Sequence, residues 1–228
     1  MKKRMRETRD TAARVELRVN EDGTSVLFGY AAVFPDGTEK SSYRYGSVTE
    51  TITPGAFARA LRDRQDVRAL FNHDSGNLLG RISSGTLRLV EDQTGLRYEI
   101  DMPDTTLAKD VRALVERGDL TGSSFAFRIK SETWKRDDNN PNCYRREIND
   151  VDLIDVGPVT FPAYAGTQAA MRSEDIDALE AEAKAAIESE AQGDNQARSD
   201  EEEAARRSEE AEQLEMRIRI ANIGGSNE

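Results

Sequence analysis

The sequence predicts an α+β domain in which short, mainly antiparallel strands form a barrel or a sandwich flanked by two or three short helices. Residues 15–172 contain many short segments of strand length, separated by turn sequences such as Asn20-Glu21-Asp22-Gly23. Few segments in this part show the helical period. No aromatic residue follows Tyr164, so the hydrophobic core must form before the last quarter of the chain.

The first two strands are predicted from their hydrophobic patterns. Residues 15–19 alternate apolar and polar side chains, and residues 26–34 are more continuously apolar. A four-residue turn joins them, which indicates a hairpin. Further strands are predicted at residues 48–53, 67–72, 80–82, 85–91, 96–101, 124–132, 144–148 and 151–156.

Two helices are predicted within the domain. The first is a short helix at residues 58–61, which residues 54–57 lead into, with Thr53 as its N-cap and Pro54 at the N1 position. The second starts at residues 104–107 and ends near Arg117, because apolar residues recur there at helical spacing and Gly118 suits the left-handed position after a helix.

The two ends of the chain differ from this domain. Residues 1–14 are predicted to be a charged, mobile leader, and residues 173–228 an acidic tail that is helical or disordered. The tail contains 17 acidic and 6 basic residues, which accounts for the whole net charge of −11. We expect it to be dispensable for chemistry and to serve as an arm that binds a partner.

Composition excludes several classes of function. Cys143 is the only cysteine and His73 the only histidine, so we expect no intramolecular disulfide, no metal site and no cofactor. No run approaches the ~20 apolar residues of a membrane span. The sequence pI of about 4.8 argues against nucleic acid as the main partner.

His73 is the strongest candidate for chemistry, because an imidazole is the usual proton carrier near neutral pH. It lies in the polar cluster Asn72-His73-Asp74, which follows the apolar run Ala69-Leu70-Phe71. Ser123 and Ser124 begin another apolar strand, and Asp155 opens a turn-rich segment. Serine, histidine and a carboxylate are the components of a hydrolytic triad.

Neighbouring residues leave alternatives open. Strand alternation would turn one of Ser123 and Ser124 to the core, and Asp150 or Asp152 could replace Asp155 as the third member. Asp74 could simply cap a turn. Arg81 is interpreted as a surface charge rather than part of a substrate groove.

Five motifs, taken in order, resemble the prohead proteases of tailed bacteriophages, which are similar in fold to the herpesvirus assemblins. The resemblance covers about residues 15–170. The motifs are Thr51-Ile52-Thr53-Pro54-Gly55-Ala56-Phe57, Leu70-Phe71-Asn72-His73-Asp74, Leu79-Gly80-Arg81, Gly122-Ser123-Ser124-Phe125-Ala126-Phe127, and Asp155-Val156-Gly157-Pro158-Val159-Thr160-Phe161-Pro162-Ala163-Tyr164.

The resemblance implies a compact β-barrel flanked by helices and a catalytic triad. His73 matches the family histidine and Ser124 the family serine. The third member stands in a Glu-Val-Ser phrase of the family, which here reads Asp155-Val156-Gly157 with a shorter carboxylate. Backbone amides of residues 161–164 or an ordered water would stabilise the oxyanion.

The implied function is that of a serine endopeptidase. Its expected substrate is the scaffolding region of the major capsid protein, followed by its own chain, and it could form an oligomer. It would act inside the procapsid in the host cytoplasm and be absent from the mature virion. A catalytically inactive scaffold or assembly chaperone is the alternative, and a general β-rich binding module explains the tail poorly. Retention of all three triad candidates favours the enzyme.

Overall fold

The computed structural model describes residues 5–11, 13–36, 41–138, 140–162, 175–189, 192 and 203–208. The strands are β1 (Glu7–Thr11), β2 (Glu16–Val19), β3 (Ser25–Val33), β4 (Tyr43–Tyr45), β5 (Val48–Ile52), β6 (Arg68–Leu70), β7 (Leu78–Arg81), β8 (Leu87–Glu91), β9 (Gly95–Asp101), β10 (Gly122–Arg136) and β11 (Tyr144–Val159). The helices are α1 (Ala58–Arg62), α2 (Thr106–Arg117) and α3 (residues 175–189), and residues 203–208 are also helical.

The described strands form two sheets. One has the order β1-β10-β11-β5-β4, with β6 also paired to β11 and β7 paired to β6, and the other has the order β2-β3-β9-β8. Strand β11 runs parallel to β5 and β6, while the remaining pairs are antiparallel. The mainly antiparallel α+β class is therefore confirmed. Because neither sheet closes on itself among the described strands, barrel closure stays a prediction.

A long hairpin of β10 and β11 forms the centre of the larger sheet. Phe125, Ala126 and Phe127 are all fully buried, so both faces of β10 are covered at this point. Phe125 stacks on Phe127 with centroids 4.7 Å apart and meets Phe57 edge-on at 5.6 Å. These aromatic contacts fix the part of β10 next to the serine pair. The two strands predicted at 144–148 and 151–156 are one continuous strand, β11.

The clearest sequence patterns are confirmed. Strands β2 and β3 form the predicted hairpin. Helix α2 ends at Arg117 as expected, with the Thr105 hydroxyl accepting from the Ala108 amide and Gly118 in the left-handed region at φ 81°.

The short helix predicted at residues 58–61 is confirmed, but its predicted N-terminal cap is wrong. Helix α1 begins at Ala58, and the Thr53 hydroxyl donates to the Ile148 carbonyl instead of capping a helix. The Glu91 carboxylate of β8 accepts from the backbone amides of Gly55 and Phe57, at 2.5 and 3.1 Å. This distant side chain holds the residues before the helix in turns, so they form no capped first turn of α1.

The N-terminal region also differs from its prediction. Within the leader predicted at residues 1–14, Glu7–Thr11 form β1, an edge strand that pairs antiparallel with β10. The segment contains no apolar residue, so it lacks the alternation by which strands are recognised. Its stability as a strand comes from its partner and not from its own pattern.

The compact unit that holds both sheets extends past the predicted boundary at residue 172. It comprises Met1–Ala183, and the second unit comprises Lys184–Glu228. In the first half of α3, Ala183 is fully buried and Leu179 packs against the core. Glu180 accepts a hydrogen bond from the Ser47 hydroxyl at 2.6 Å. Residues 175–183 of the predicted tail therefore lie in the same compact unit as the two sheets.

In the second unit, residues 184–189, 192 and 203–208 are helical. The remainder of the helix predicted at 200–220 lies outside the described residues. None of the described helices is long and apolar enough to cross a membrane.

Candidate active site

The side chains of His73, Ser124 and Asp155 form one hydrogen-bonded chain. The Nε2 atom of His73 lies 2.6 Å from the Ser124 hydroxyl oxygen, and its Nδ1 atom lies 2.5 Å from Oδ1 of Asp155. In the sequence, Ser124 lies 51 positions after His73, and Asp155 lies 82 positions after it. Their arrangement is that of a serine–histidine–carboxylate triad.

Strand β6 brings His73 to the site. It runs parallel to β11, with Arg68 opposite Asp155, and the chain then enters the turn that carries the histidine. Asn72 and His73 both lie in the left-handed region, at φ 56° and 57°. That conformation is costly for residues other than glycine, and it requires support from the surroundings.

Asn72 supplies this support by tying the turn to the end of β11. Its backbone amide donates to the Pro158 carbonyl at 3.1 Å. Its side-chain amide group donates to the Thr160 hydroxyl at 2.9 Å, and its carbonyl oxygen accepts from the Thr160 backbone amide at 2.8 Å. The turn thus holds the imidazole directly over the β10–β11 hairpin.

Adjacent strands provide the other two side chains. In the β10–β11 register, Ser124 lies opposite Gly157 and Ala126 lies opposite Asp155. The serine and the aspartate are thus diagonal neighbours on adjacent strands, at a separation that one imidazole ring can bridge.

The structure separates the roles of the two adjacent serines. The Ser123 hydroxyl lies 2.8 Å from the hydroxyl of Tyr98, and both residues are fully buried. Ser124 points to the opposite face of β10 and contacts His73. Of the two alternatives left open by the sequence, only Ser124 reaches the imidazole.

The structure also distinguishes the three candidate carboxylates on β11 by the groups that they contact. Asp155 is 1% exposed, and its second oxygen accepts from the Arg6 guanidinium at 2.8 Å. Asp150 and Asp152 instead bind Arg59 of α1, each at 2.8 Å. Burial opposes ionisation of Asp152, but the hydrogen bonds from Arg59 and Gln65 outweigh it and lower the pKa of its carboxyl. Asp150 and Asp152 therefore anchor the helix, and neither contacts His73.

Two other candidates have structural roles. Asp74 accepts from the Gly76 amide at 2.8 Å and so caps the turn after the histidine. Arg81 forms a bidentate ion pair with Asp66 and is 43% exposed. Both observations agree with the interpretation of these residues from the sequence.

Gly157 allows β6, the strand that leads to His73, to approach β11 closely. A Cβ atom at this position would lie 2.1 Å from the Leu70 carbonyl oxygen, and its φ is 154°. A serine, which the family phrase has here, would not fit this backbone. Glycine is therefore required by the close contact between β6 and β11.

The predicted oxyanion donors are only partly described. Phe161 is 89% exposed, and Pro162 has no N–H to donate. Ala163 and Tyr164 lie outside the described residues. No group of three or more potential metal ligands occurs in the part of the chain that the structure describes.

Sequence reasoning missed the strand that lies against this site. Strand β1 places Asp10 opposite Ser124 and Arg9 opposite Phe125. The Ser124 hydroxyl donates to the Arg9 carbonyl oxygen at 3.0 Å. The five polar residues of β1 carry no signal that would place it here.

Comparison with known protein families agrees with the motifs of the sequence. The family model described as caudovirus prohead serine protease matches residues 13–182. Among solved structures, the chain is similar to the bacteriophage T4 capsid assembly protease, gp21, at 12% sequence identity and a TM-score of 0.40, covering 68% of this chain and 98% of that one. No curated protein sequence matches the chain. Since the family model spans well over half of the 228 residues, the chain belongs to the caudovirus prohead serine protease family.

Proposed function

We propose that the protein is a serine endopeptidase in which Ser124 is the nucleophile, His73 the general base and Asp155 the residue that orients the imidazole. The observation that carries this proposal is the continuous hydrogen-bonded chain from the Ser124 hydroxyl through both ring nitrogens to the Asp155 carboxylate. Family membership supports a protease that acts in capsid maturation.

The chemistry follows from the positions of the two ring nitrogens. With Asp155 accepting a hydrogen bond from Nδ1–H, the Nε2 lone pair faces Ser124. Once the hydroxyl turns from the Arg9 carbonyl to the ring, Nε2 can take its proton as the oxygen attacks a peptide carbonyl. The resulting imidazolium gives that proton to the leaving amine, and an acyl-enzyme remains on Ser124. A water molecule then repeats the two transfers and releases the acid. The negative charge of Asp155 stabilises the imidazolium in both steps.

The proposed substrate is the major capsid protein, cut in its scaffolding region, with the protease's own chain as a second substrate. The protein would act inside the procapsid within the host cell and be lost before the virion matures. Confinement in the procapsid would bring enzyme and substrate together at high effective concentration.

The test of this function is cleavage of the capsid protein from the same phage, co-expressed with the full chain. We expect shortened capsid protein with the wild-type chain and none with His73→Ala. Arg81→Ala, a substitution on the exposed surface, is the matched control and should cleave normally. An intact capsid protein with the folded wild-type chain would favour the alternative, an inactive assembly scaffold.

We further propose that the segment after α3 recruits the protease and is not needed for chemistry. The acidic tail could bind basic scaffold helices with strong salt dependence. Because Leu179 packs against the core and Ala183 belongs to the first unit, the informative truncation ends at Ser189, the last residue of α3.

The chain ending at Ser189 should cleave denatured capsid protein at the wild-type rate but enter procapsids poorly, as measured by its content in purified particles. Normal packaging of this truncated chain would contradict recruitment by the tail. Loss of cleavage in solution would instead show that residues after 189 contribute to the catalytic domain.

A further inference from the structure

Strand β1 pairs with the outer edge of β10, beside Ser124, the candidate nucleophile. Among the described strands it pairs only with β10, and its register runs from Glu7 opposite Phe127 to Thr11 opposite Ser123. The family model matches residues 13–182, so this strand lies outside the matched part of the chain. An extended peptide added to a sheet edge is a common mode of peptide recognition.

The backbone of β1 presents one peptide bond to the nucleophile. The Ser124 hydroxyl donates to the carbonyl oxygen of Arg9 at 3.0 Å, and the next residue, Asp10, lies opposite Ser124. A substrate strand that replaced β1 would have its scissile carbonyl group near the Ser124 hydroxyl oxygen. Arg9 therefore stands where the residue before a scissile bond would stand.

The side chain of Arg9 fills a buried acidic and aromatic pocket. Its Nε and Nη2 atoms donate to the two oxygens of Glu50 at 2.5 and 2.9 Å. The guanidinium carbon lies 5.8 Å from the ring centroid of Tyr43, 5.3 Å from that of Tyr45 and 5.5 Å from that of Phe127. A planar cation that is paired bidentately and surrounded by aromatic faces is what such a pocket selects.

The carboxylate of Glu50 at the bottom of the pocket favours binding of a cation. Glu50 is fully buried, and its second partner, Arg146, also binds Glu132 at 2.7 Å. Burial opposes ionisation of Glu50, but Arg9 and then Arg146 outweigh it, so the pKa of the carboxyl lies below its ordinary value. If Arg9 leaves, a buried carboxylate loses its bidentate partner, which is strongly unfavourable until another cation enters.

We propose that β1 occupies the place of the substrate strand, and that the pocket around Glu50 is the subsite for a basic side chain directly before the scissile bond. This inference rests on the proposed function and adds its substrate class, peptide segments with arginine or lysine at that position. The enzyme described here is in a closed state, because β1 covers the edge of β10. In that state the Ser124 hydroxyl donates a hydrogen bond to the Arg9 carbonyl oxygen, and the Arg6 guanidinium binds the Asp155 carboxylate.

The selectivity test uses peptides that differ in one side chain. The probe carries the sequence of residues 5–9, acetylated and followed by aminomethylcoumarin, so that the bond after the arginine corresponding to Arg9 releases the fluorophore. Its matched controls have citrulline or alanine in place of that arginine. The full chain carrying Arg9→Ala, with folding checked by circular dichroism, provides an unoccupied pocket.

We expect kcat/KM for the arginine peptide to exceed that for the citrulline peptide by about 100-fold, because citrulline has the same shape without the charge. Equal rates for the two peptides, or faster cleavage of the alanine peptide, would overturn the proposal.

A second measurement needs no variant. Denatured capsid protein is digested with the wild-type chain, and the new C-termini are identified by mass spectrometry. Arginine or lysine should end most of them. Cleavage of capsid protein after other residues would refute the basic subsite and leave the protease function standing, whereas absence of any cleavage would refute the protease function and the subsite with it.

Closure of the candidate active site by β1 can be tested separately, by the rate at which Ser124 is modified. A small fluorophosphonate should modify Ser124 about tenfold faster in Arg9→Ala than in the wild type, because the variant shifts β1 away from the site. Arg14→Ala, an exposed arginine near the same strand, is the matched control and should react like the wild type. Equal rates for wild type and Arg9→Ala would contradict closure.

Discussion

Ser124→Ala is expected to abolish cleavage of the capsid protein while leaving the protein folded. Loss of the nucleophile in a triad reduces turnover by about 10⁶-fold. The substitution removes one oxygen, whose partners are the His73 ring and the Arg9 carbonyl, so the free energy of unfolding should change by no more than about 1 kcal/mol. Proteolysis of capsid protein and urea-induced unfolding measure the two effects.

Ser123→Ala is the matched control for this variant. It should remain active, because the Ser123 hydroxyl contacts Tyr98 and not His73. Its expected cost is to stability, about 1–3 kcal/mol, since the buried Tyr98 hydroxyl loses its partner. An inactive Ser123→Ala beside an active Ser124→Ala would show that the adjacent serine is the nucleophile.

Asp155→Asn should lower kcat by about 10⁴-fold with the fold preserved. The amide is nearly the same size as the carboxylate but carries no negative charge to stabilise the imidazolium. It can also present an N–H to Nδ1, which favours the tautomer whose Nε2 proton points at Ser124. The measurement is kcat for cleavage of capsid protein at saturating substrate.

Asp152→Asn is the control for the loss of a carboxylate on the same strand. Asp152 binds Arg59 and Gln65, so this variant should turn over normally and lose only part of the stability that the helix contact provides. Normal turnover in Asp155→Asn together with an inactive Asp152→Asn would move the orienting role to Asp152.

The sequence predicts the elements whose stability comes from their own patterns. Helix α2 has its cap at Thr105 and its end at Gly118, and the β2–β3 hairpin has alternation on both sides of a turn. The capping of α1 could not be predicted in this way, because Glu91, more than thirty residues away, accepts the hydrogen bonds of the amides before the helix.

The same distinction applies to the candidate site. Motifs pointed to His73, and alternation showed that the two serines face opposite sides, but alternation alone cannot say which side faces the histidine. That choice depends on Tyr98 binding Ser123 and on the register of β10 with β11. The role of β1 depends on a pairing across more than a hundred residues, which no local pattern encodes.

The most direct test of the central claim is the position of the covalent adduct formed by a fluorophosphonate on the full chain. After prolonged incubation, fragmentation mass spectrometry of the peptide that contains both serines identifies the modified oxygen. The account predicts one adduct, on Ser124, that is lost in His73→Ala. An adduct on Ser123, or modification of Ser124 that is undiminished in His73→Ala, would contradict it.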